Sequence, residues 1–492
     1  MEADDDTVWL GIDLGTQSVR ALAVTTGGHV RGHGSAPLTG TRDGARHEQL
    51  PADWWSATGA AVRGAVRDLR VPVAAVAVCS TSGTVLLTDD EGEPVSPALM
   101  YDDGRAAGEA RRAQEAGEEL WRELGQRIQP SWALAKLLWL TGDGATAPVG
   151  PRPRVSHQAD VITSRLVGRP VATDSSHALK TGYDTRRRAW PTEVLDRLGL
   201  SERLTFPDVV LPGTALGTVG SAGAEATGLA EGTPVIAGMT DGCAAQLGSG
   251  AWEVGRWNTV LGTTLVLKGV TADPLHDPSG VLYNHLSPDG TWLPGGASSV
   301  GAGVLSAAFP GADLAALDRA AAAHEPAGAL SYPLVSRGER FPFLAPDAEA
   351  FTLGTPADDA DRYASLLQGV ALAERLCLAY VRLLGADVEG PIVFTGGATR
   401  SAYWNQLRCD VLGRPAAVPE QADSALGMAV LAARGAGTAR NDVRGMVRIA
   451  AEFAPRAAVK ERFDEGFGEL VDALERRGWL PSETARYARD KG

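Results

Sequence analysis

The stretch GIDLGTQSVRALAV, residues 11–24, decides how the chain is read. An apolar run reaches Asp13, the backbone turns through Gly15 and Thr16, and a second apolar run follows, which is the pattern of strand, turn and strand. One Gly-containing turn of this kind is any β-hairpin. A second copy, an acid or base and pockets for two substrates would make it a phosphate turn. Short Gly-Thr turns bring backbone N–H groups and a hydroxyl close to phosphate oxygens.

The copy comes near residue 235. There TPVIAGM reads as a strand, TDGCAAQLGSG as a capped helix, and RWNTVLGTTLVLKGV as strand, Gly-Thr turn and strand. Gly262, Thr263 and Thr264 repeat Gly15 and Thr16, so the chain reads as two copies of one unit facing each other across a polyphosphate. Around the first copy, TVWLGID, VRALAVT and HVRGHGSAPL form an antiparallel meander. HEQLPADWWSATGAAVRGAVRDL then has helical apolar spacing with Asp53 able to cap it, VAAVAV is a buried strand, and TVLLTDDEGEPV is a hairpin. SWALAKLLWLTG and QADVITSRLVG read as helical. The last third holds a long helix, DRYASLLQGVALAERLCLAYVRLLG, then the strand PIVFTGG. Its Gly396 and Gly397 fall at the carboxyl end, where an open α/β sheet commonly binds its ligand. ERFDEGFGELVDALERRG is an amphipathic surface helix.

A chain of 492 residues exceeds one core and divides into two domains of roughly 200–250 residues. A net charge of -14 argues against nucleic acid, which is bound through accumulated Lys and Arg. No apolar run suggests a membrane span, and MEADDD lacks the basic and apolar regions of a secretory leader, so the expected location is the cytoplasm. Cys79, Cys243, Cys377 and Cys409 are scattered, without a CxxC pair or neighbouring histidines, and read as reduced buried thiols. The lysines are Lys136, Lys180, Lys268, Lys460 and Lys491; none stands in a Gly-Lys-Ser/Thr loop, which excludes a P-loop nucleotide site.

These pieces in this order resemble the FGGY family of carbohydrate kinases. The resemblance runs over nearly the whole chain and rests, besides the two turns, on EQLPADWW, SWALAKLLWL, TDSSHALKTGYD, AGMTDG and GGATRSAYWNQL. It implies an α/β fold of two actin-like (ribonuclease H-like) ATPase domains flanking a central cleft. Residues 1–244 would hold the sugar site and first phosphate turn, and residues 245–492 the nucleotide site. ATP and Mg²⁺ are the implied cofactors and a small sugar the implied partner, with no nucleic acid or membrane and with room for a homodimer. Within the family, STSGTVLL (80–87), HALKTGYD (177–184), LGTTLVLKG, GGASSVGAG and YPLVSRGERFPF (332–343) look most like the D-ribulokinase subgroup. Bacterial xylulokinases are expected to carry Gln-Met-His where this chain has Thr81, Ser82 and Gly83. On the other side, YDDGR keeps Asp103 and Arg105 in the register of the Trp-x-Asp-x-Arg sugar motif of xylulokinases. The implied reaction is ATP-dependent phosphorylation of a pentulose, D-ribulose first, with D-xylulose or another ketose or polyol as the alternative. An actin-like chaperone would need an added peptide-binding domain, and a sugar-binding pseudokinase would have lost its base or its turns.

From the residues alone, Asp241 suits both a helix N-cap and a general base kept ionised by a helix N-terminus. The resemblance favours the base, with Asp241 also at the sugar. It assigns Asp13 to Mg²⁺ through water and to the sugar, and Thr16 and Thr263 to the phosphates, with Gly15, Gly262 and Thr264 completing the turns. Gly301, Gly397 and Ala398 match nucleotide-pocket positions where missing side chains admit adenosine. Ser401 stands where many relatives have Asn. Ser82 matches the subgroup's substrate serine, and Asp103 and Arg105 suit several sugar hydroxyls, a surface ion pair being their other reading. Lys180 is a cation near the expected cleft or a solvated lysine. His47 and His177 read as structural, and Trp54 and Trp55 as core.

Overall fold

The computed structural model describes residues 7–142 and 152–492. Its first sheet is built from β1 (Val8–Leu14), β2 (Ser18–Thr25), β3 (Val30–Pro37), β4 (Val73–Ser80), β5 (Ala215–Thr218) and β6 (Pro234–Ile236). They lie in the order β5-β6-β4-β1-β2-β3. The three opening strands form the expected antiparallel meander, β4 runs parallel to β1 and β6 parallel to β4. Every residue of β1 is buried. Such a strand needs cover on both faces, which is why it reads as a continuous apolar run.

Helix α1 (Pro51–Val66) lies against β2 and β3 and supplies one cover. Asp53 does not cap it: Leu50 is the N-cap, without a side-chain bond, and Asp53 sits inside the first turn. Pro51 opens the helix because the first turn has no use for its missing N–H. Trp54 is fully buried and donates from Nε1 to Gln49 Oε1, so it belongs to the core as expected. After β6 the chain turns at Thr240 into α2 (Asp241–Gly248).

The second sheet repeats the plan. Six of its seven described strands, β7 (Trp257–Leu261), β8 (Leu265–Gly269), β9 (Trp292–Ser298), β10 (Ile392–Thr395), β11 (Ala416–Pro419) and β12 (Ile449–Phe453), run in the order β9-β8-β7-β10-β11-β12. Again the first three are antiparallel, the next two join in parallel, and an antiparallel strand closes the edge. The repeat read from two Gly-Thr turns is therefore a repeat of topology. Helices α3 (Asp359–Leu383) and α4 (Ala402–Leu412) pack on each other in this unit. α3 is long and apolar enough to cross a membrane, but its apolar length is buried in the unit's own core with Trp257, Phe394 and Leu470.

The chain does not divide once at 244/245. The first unit runs to Gly250 and takes back His285–Gly290 and Gln421–Arg448; the second holds Ala251–Asn284, Thr291–Glu420 and Ile449–Gly492. The returning segment carries α5 (Ser424–Gly435), which packs on β1, β4 and α2. It supplies the second cover of β1. Gly11 permits the approach, since a Cβ there would strike the Ala425 carbonyl.

Candidate active site

Asp13 is the last residue but one of β1 and is 4 % exposed. The parallel register sets it beside Cys79 on β4, whose Sγ donates to Oδ1 at 3.5 Å, and the antiparallel register sets it opposite Arg20, whose Nη2 lies 3.1 Å from Oδ2. Burial pushes Asp13 up to about 6; Arg20 opposes the shift, and the carboxylates of Asp241 and Asp423 add to it. Three acids from β1, α2 and the cap of α5 thus share one electrostatic neighbourhood.

Asp241 is half-buried at the first position of α2, where the helix dipole favours a carboxylate. The N-cap is Thr240, so the capping alternative for Asp241 does not hold. Its Oδ1 accepts the Gly242 N–H at 2.7 Å, and its carbonyl accepts Ser424 Oγ from α5 at 3.2 Å. Tyr101 feels the Asp241 charge and hydrogen-bonds Thr16 in the first turn. Gln49 Nε2 holds the Thr16 carbonyl at 2.7 Å. The turn itself is closed by Gly15 N–H donating to Ser18 O at 3.1 Å.

Ser82 follows β4. Its Oγ is buried without a hydrogen-bond partner among the described residues, as is Nε2 of Gln158, whose Oε1 accepts from Thr81. Two unspent polar groups beside a strand end fit a polyol, whose hydroxyls both donate and accept. Lys180 donates to the Ser82 carbonyl at 3.2 Å.

Asp103 and Arg105 pair with each other. Asp103 is fully buried, accepting the His47 N–H at 2.8 Å and Arg105 on both oxygens. Arg105 also donates to Glu48 at 2.6 Å and lies over the Trp139 ring at 4.3 Å. The two thus make the ion pair that was their other reading, with Asp103 buried and Arg105 19 % exposed, and organise the loop. His47 belongs to the same cluster, with Nδ1 2.5 Å from Asp102 Oδ1.

In the second unit the turn 262–264 is closed by Gly262 N–H donating to Thr264 O at 3.1 Å, with Thr263 exposed at its tip. Gly301 packs against this turn: a Cβ there would collide with the Thr263 carbonyl, so its missing side chain serves backbone contact and not adenosine. Gly396 adopts φ +88°, which favours glycine, and turns the chain at the end of β10. Gly397 is exposed, with nothing within 4 Å of where a Cβ would stand. Ala398, by contrast, is buried in the core cluster. Ser401 caps α4 by accepting the Trp404 N–H at 2.9 Å and donates to Asp318 at 2.7 Å, so its hydroxyl is taken.

Four residues escaped the sequence reading of the site: Cys79, Tyr101, Lys136 and Asp423. Cys79 could have been found from the parallel register of β1 and β4. Asp423 stands 182 residues after Asp241 and carries no local signal of its place.

The N-terminal domain model of the FGGY family of carbohydrate kinases matches residues 8–248, and its C-terminal domain model residues 257–436. Over 489 residues the chain is 32% identical to a xylulose kinase of Streptomyces coelicolor, covering 97% of this chain and 95% of the relative. It is 28% identical over 473 residues to an autoinducer-2 kinase of Yersinia enterocolitica, covering 87% and 86%. A solved xylulose kinase from Rhodospirillum rubrum superposes with TM-score 0.84 at 25% identity, over 95% of this chain and 99% of that one. Both halves match in order and the two sheets repeat one topology. The chain therefore belongs to the FGGY family of carbohydrate kinases, enzymes built on two actin-like ATPase domains.

Proposed function

We propose that the protein transfers the γ-phosphoryl group of ATP to a hydroxyl of D-xylulose, with Asp241 taking the hydroxyl proton. The observation that carries the mechanism is the half-buried Asp241 carboxylate at the start of α2, next to Asp13. A general base must be ionised and reachable, and the helix N-terminus favours the first while half-burial leaves the second. The full-length similarity to proteins named xylulose kinases favours D-xylulose over the D-ribulose suggested by Thr81, Ser82 and Gly83.

Ser82 Oγ and Gln158 Nε2 offer a sugar an acceptor-donor and a donor. In this reading ATP lies at Gly397 and the Gly262–Thr264 turn of the second unit, and supplies the phosphoryl group when bound. Among the described residues no group of three or more His, Cys, Asp or Glu could hold a metal by itself. One carboxylate does fit Mg²⁺, which keeps several waters and takes phosphate oxygens. Asp13 would hold it, and charge neutralisation is what the ion would supply there.

The test is coupled ADP release with D-xylulose, D-ribulose, L-ribulose, ribitol, xylitol and glycerol. D-Xylulose is expected to give the highest kcat/KM, and Asp241→Ala to lower kcat about 10²- to 10⁴-fold. A D-ribulose optimum would return the sugar assignment to the subgroup reading while leaving the base intact. Full turnover in Asp241→Ala would remove the base.

A further inference from the structure

Beneath Asp241 lies a chain of buried hydrogen bonds that the reaction above does not use. Ser80 ends β4, His177 and Ser176 belong to the one-turn helix Ser175–Leu179, and Asp174 is that helix's N-cap. Ser80, Ser176 and His177 are fully buried and Asp174 is 4 % exposed. Ser80 Oγ lies 2.8 Å from His177 Nε2, and His177 Nδ1 lies 2.5 Å from Asp174 Oδ2. Serine, histidine and aspartate in this sequence form the relay of a hydrolytic nucleophile. No substrate reaches a fully buried Ser80, however, so the relay has another use.

Its direction can be read from the donors. Ser176 Oγ–H donates to Asp174 Oδ1 at 2.6 Å, and with its proton committed there its lone pair accepts the Thr240 N–H at 2.8 Å. Asp174 also accepts the N–H groups of Ser176 and His177. Thr240 is 1 % exposed, is the N-cap of α2 and lacks a side-chain cap bond of its own, so Ser176 holds the Met239–Thr240 peptide, one link before the peptide that enters Asp241. The other end of the chain reaches the same corner, because Ser80 bridges Thr240 in parallel and pairs with Leu14, the neighbour of Asp13. Burial opposes charge on both ionisable members, but each outweighs it for the other: His177 pulls Asp174 down, while Asp174, with help from Asp160 and Asp241, pushes His177 up. A buried ion pair is weak evidence of a stabilising role, since apolar side chains serve stability as well or better.

We infer that Ser176, Asp174 and His177 are positioning residues for phosphoryl transfer, fixing the Thr240–Asp241 corner so that the base meets the sugar hydroxyl. The inference rests on Asp241 being that base. Positioning acts on the reaction step, where small displacements cost large factors. The effect is therefore expected on kcat more than on KM.

The experiment compares wild type, Ser176→Ala, His177→Gln and Asp241→Ala in the full chain, with turnover normalised to folded protein and thermal midpoints measured in parallel. Ser176→Ala deletes one buried oxygen and is the mildest cut in the chain. It is expected to lower kcat about 10- to 100-fold with KM for sugar and ATP within about twofold. His177→Gln should move kcat in the same direction. Wild-type kcat in both variants, with Asp241→Ala silent, overturns the positioning role alone. A fall in thermal midpoint with normal kcat per folded molecule also overturns it, since that is what a merely structural network gives. Turnover in Asp241→Ala strikes the base reading instead.

Discussion

Lys136, on the helix Ala133–Leu140, shows how far a single side chain can depart from its ordinary behaviour. It is fully buried, and its amine donates to the carbonyls of Gly83 at 3.0 Å and Met100 at 2.6 Å. It thereby ties the loop beside Ser82 to the loop of Tyr101 and Asp103. Burial, then the charge of Lys180, push Lys136 down to about 7, with Asp103 and Asp102 opposing. A neutral amine keeps two N–H groups, enough for both carbonyls. The unfolded chain holds this proton up to its ordinary value of 10.5, so between pH 7 and 10 the unfolded state binds more protons and stability rises with pH. Urea unfolding across pH should therefore show wild type gaining on Lys136→Met by about 1.4 kcal/mol per pH unit above pH 7. Parallel profiles would mean that Lys136 titrates normally. The place of Asp13 at the end of an apolar strand was legible in the sequence, whereas the role of Asp241 was open between cap and base until the resemblance favoured the base. The spacing of Asp103 and Arg105 offered an ion pair as one reading, but not that Asp103 would be fully buried in it.

At the level of elements, the second sheet and its helices are pinned by Arg408 on α4 and Glu374 on α3, both side chains fully buried. Arg408 donates to Glu374 at 2.7 and 2.9 Å, reaches Thr259 on β7 at 2.7 Å and stacks on Phe394 of β10 at 3.7 Å. Glu374→Ala leaves a buried guanidinium without its counter-charge and should cost about 3–5 kcal/mol in unfolding free energy. The double replacement Glu374→Leu with Arg408→Met is expected to recover most of that loss. Chemical denaturation of the three proteins separates the outcomes; an unchanged midpoint in the single variant would mean that water reaches the pair. The strands and long helices were readable because their apolar periods are strong. The start of α1 was not, because Asp53 and Pro51 both signal a helix N-terminus and only the backbone decides between them.

For the whole molecule, the repeated turn predicted duplication, and the two sheets bear it out over six strands, the second carrying one more among the described residues. What sequence could not place was α5, because its contacts with β1 lie more than 400 positions back along the chain. Its small residues gave no local signal of that place, which shows only in Gly11 lying beneath Ala425. Leu426, Met428, Val430 and Leu431 are almost wholly buried there. Each is worth roughly 1.5–3 kcal/mol on burial, a sum comparable with the net stability of a domain, about 5–15 kcal/mol. A fragment ending at Gly250 should therefore fail to unfold cooperatively by calorimetry, and one carrying residues 421–448 on a flexible linker should regain the transition. A cooperative transition in the short fragment would show that α5 is dispensable.

The return of α5 also sets a timetable. The ribosome releases Asp13, Ser82 and Asp241 long before it makes Ser424, so the nascent first unit waits, with one face of β1 bare, for roughly a third of translation. A premature stop between residues 251 and 420 would leave the first unit without α5 as well, and the cell would meet it as a sticky intermediate for its chaperones.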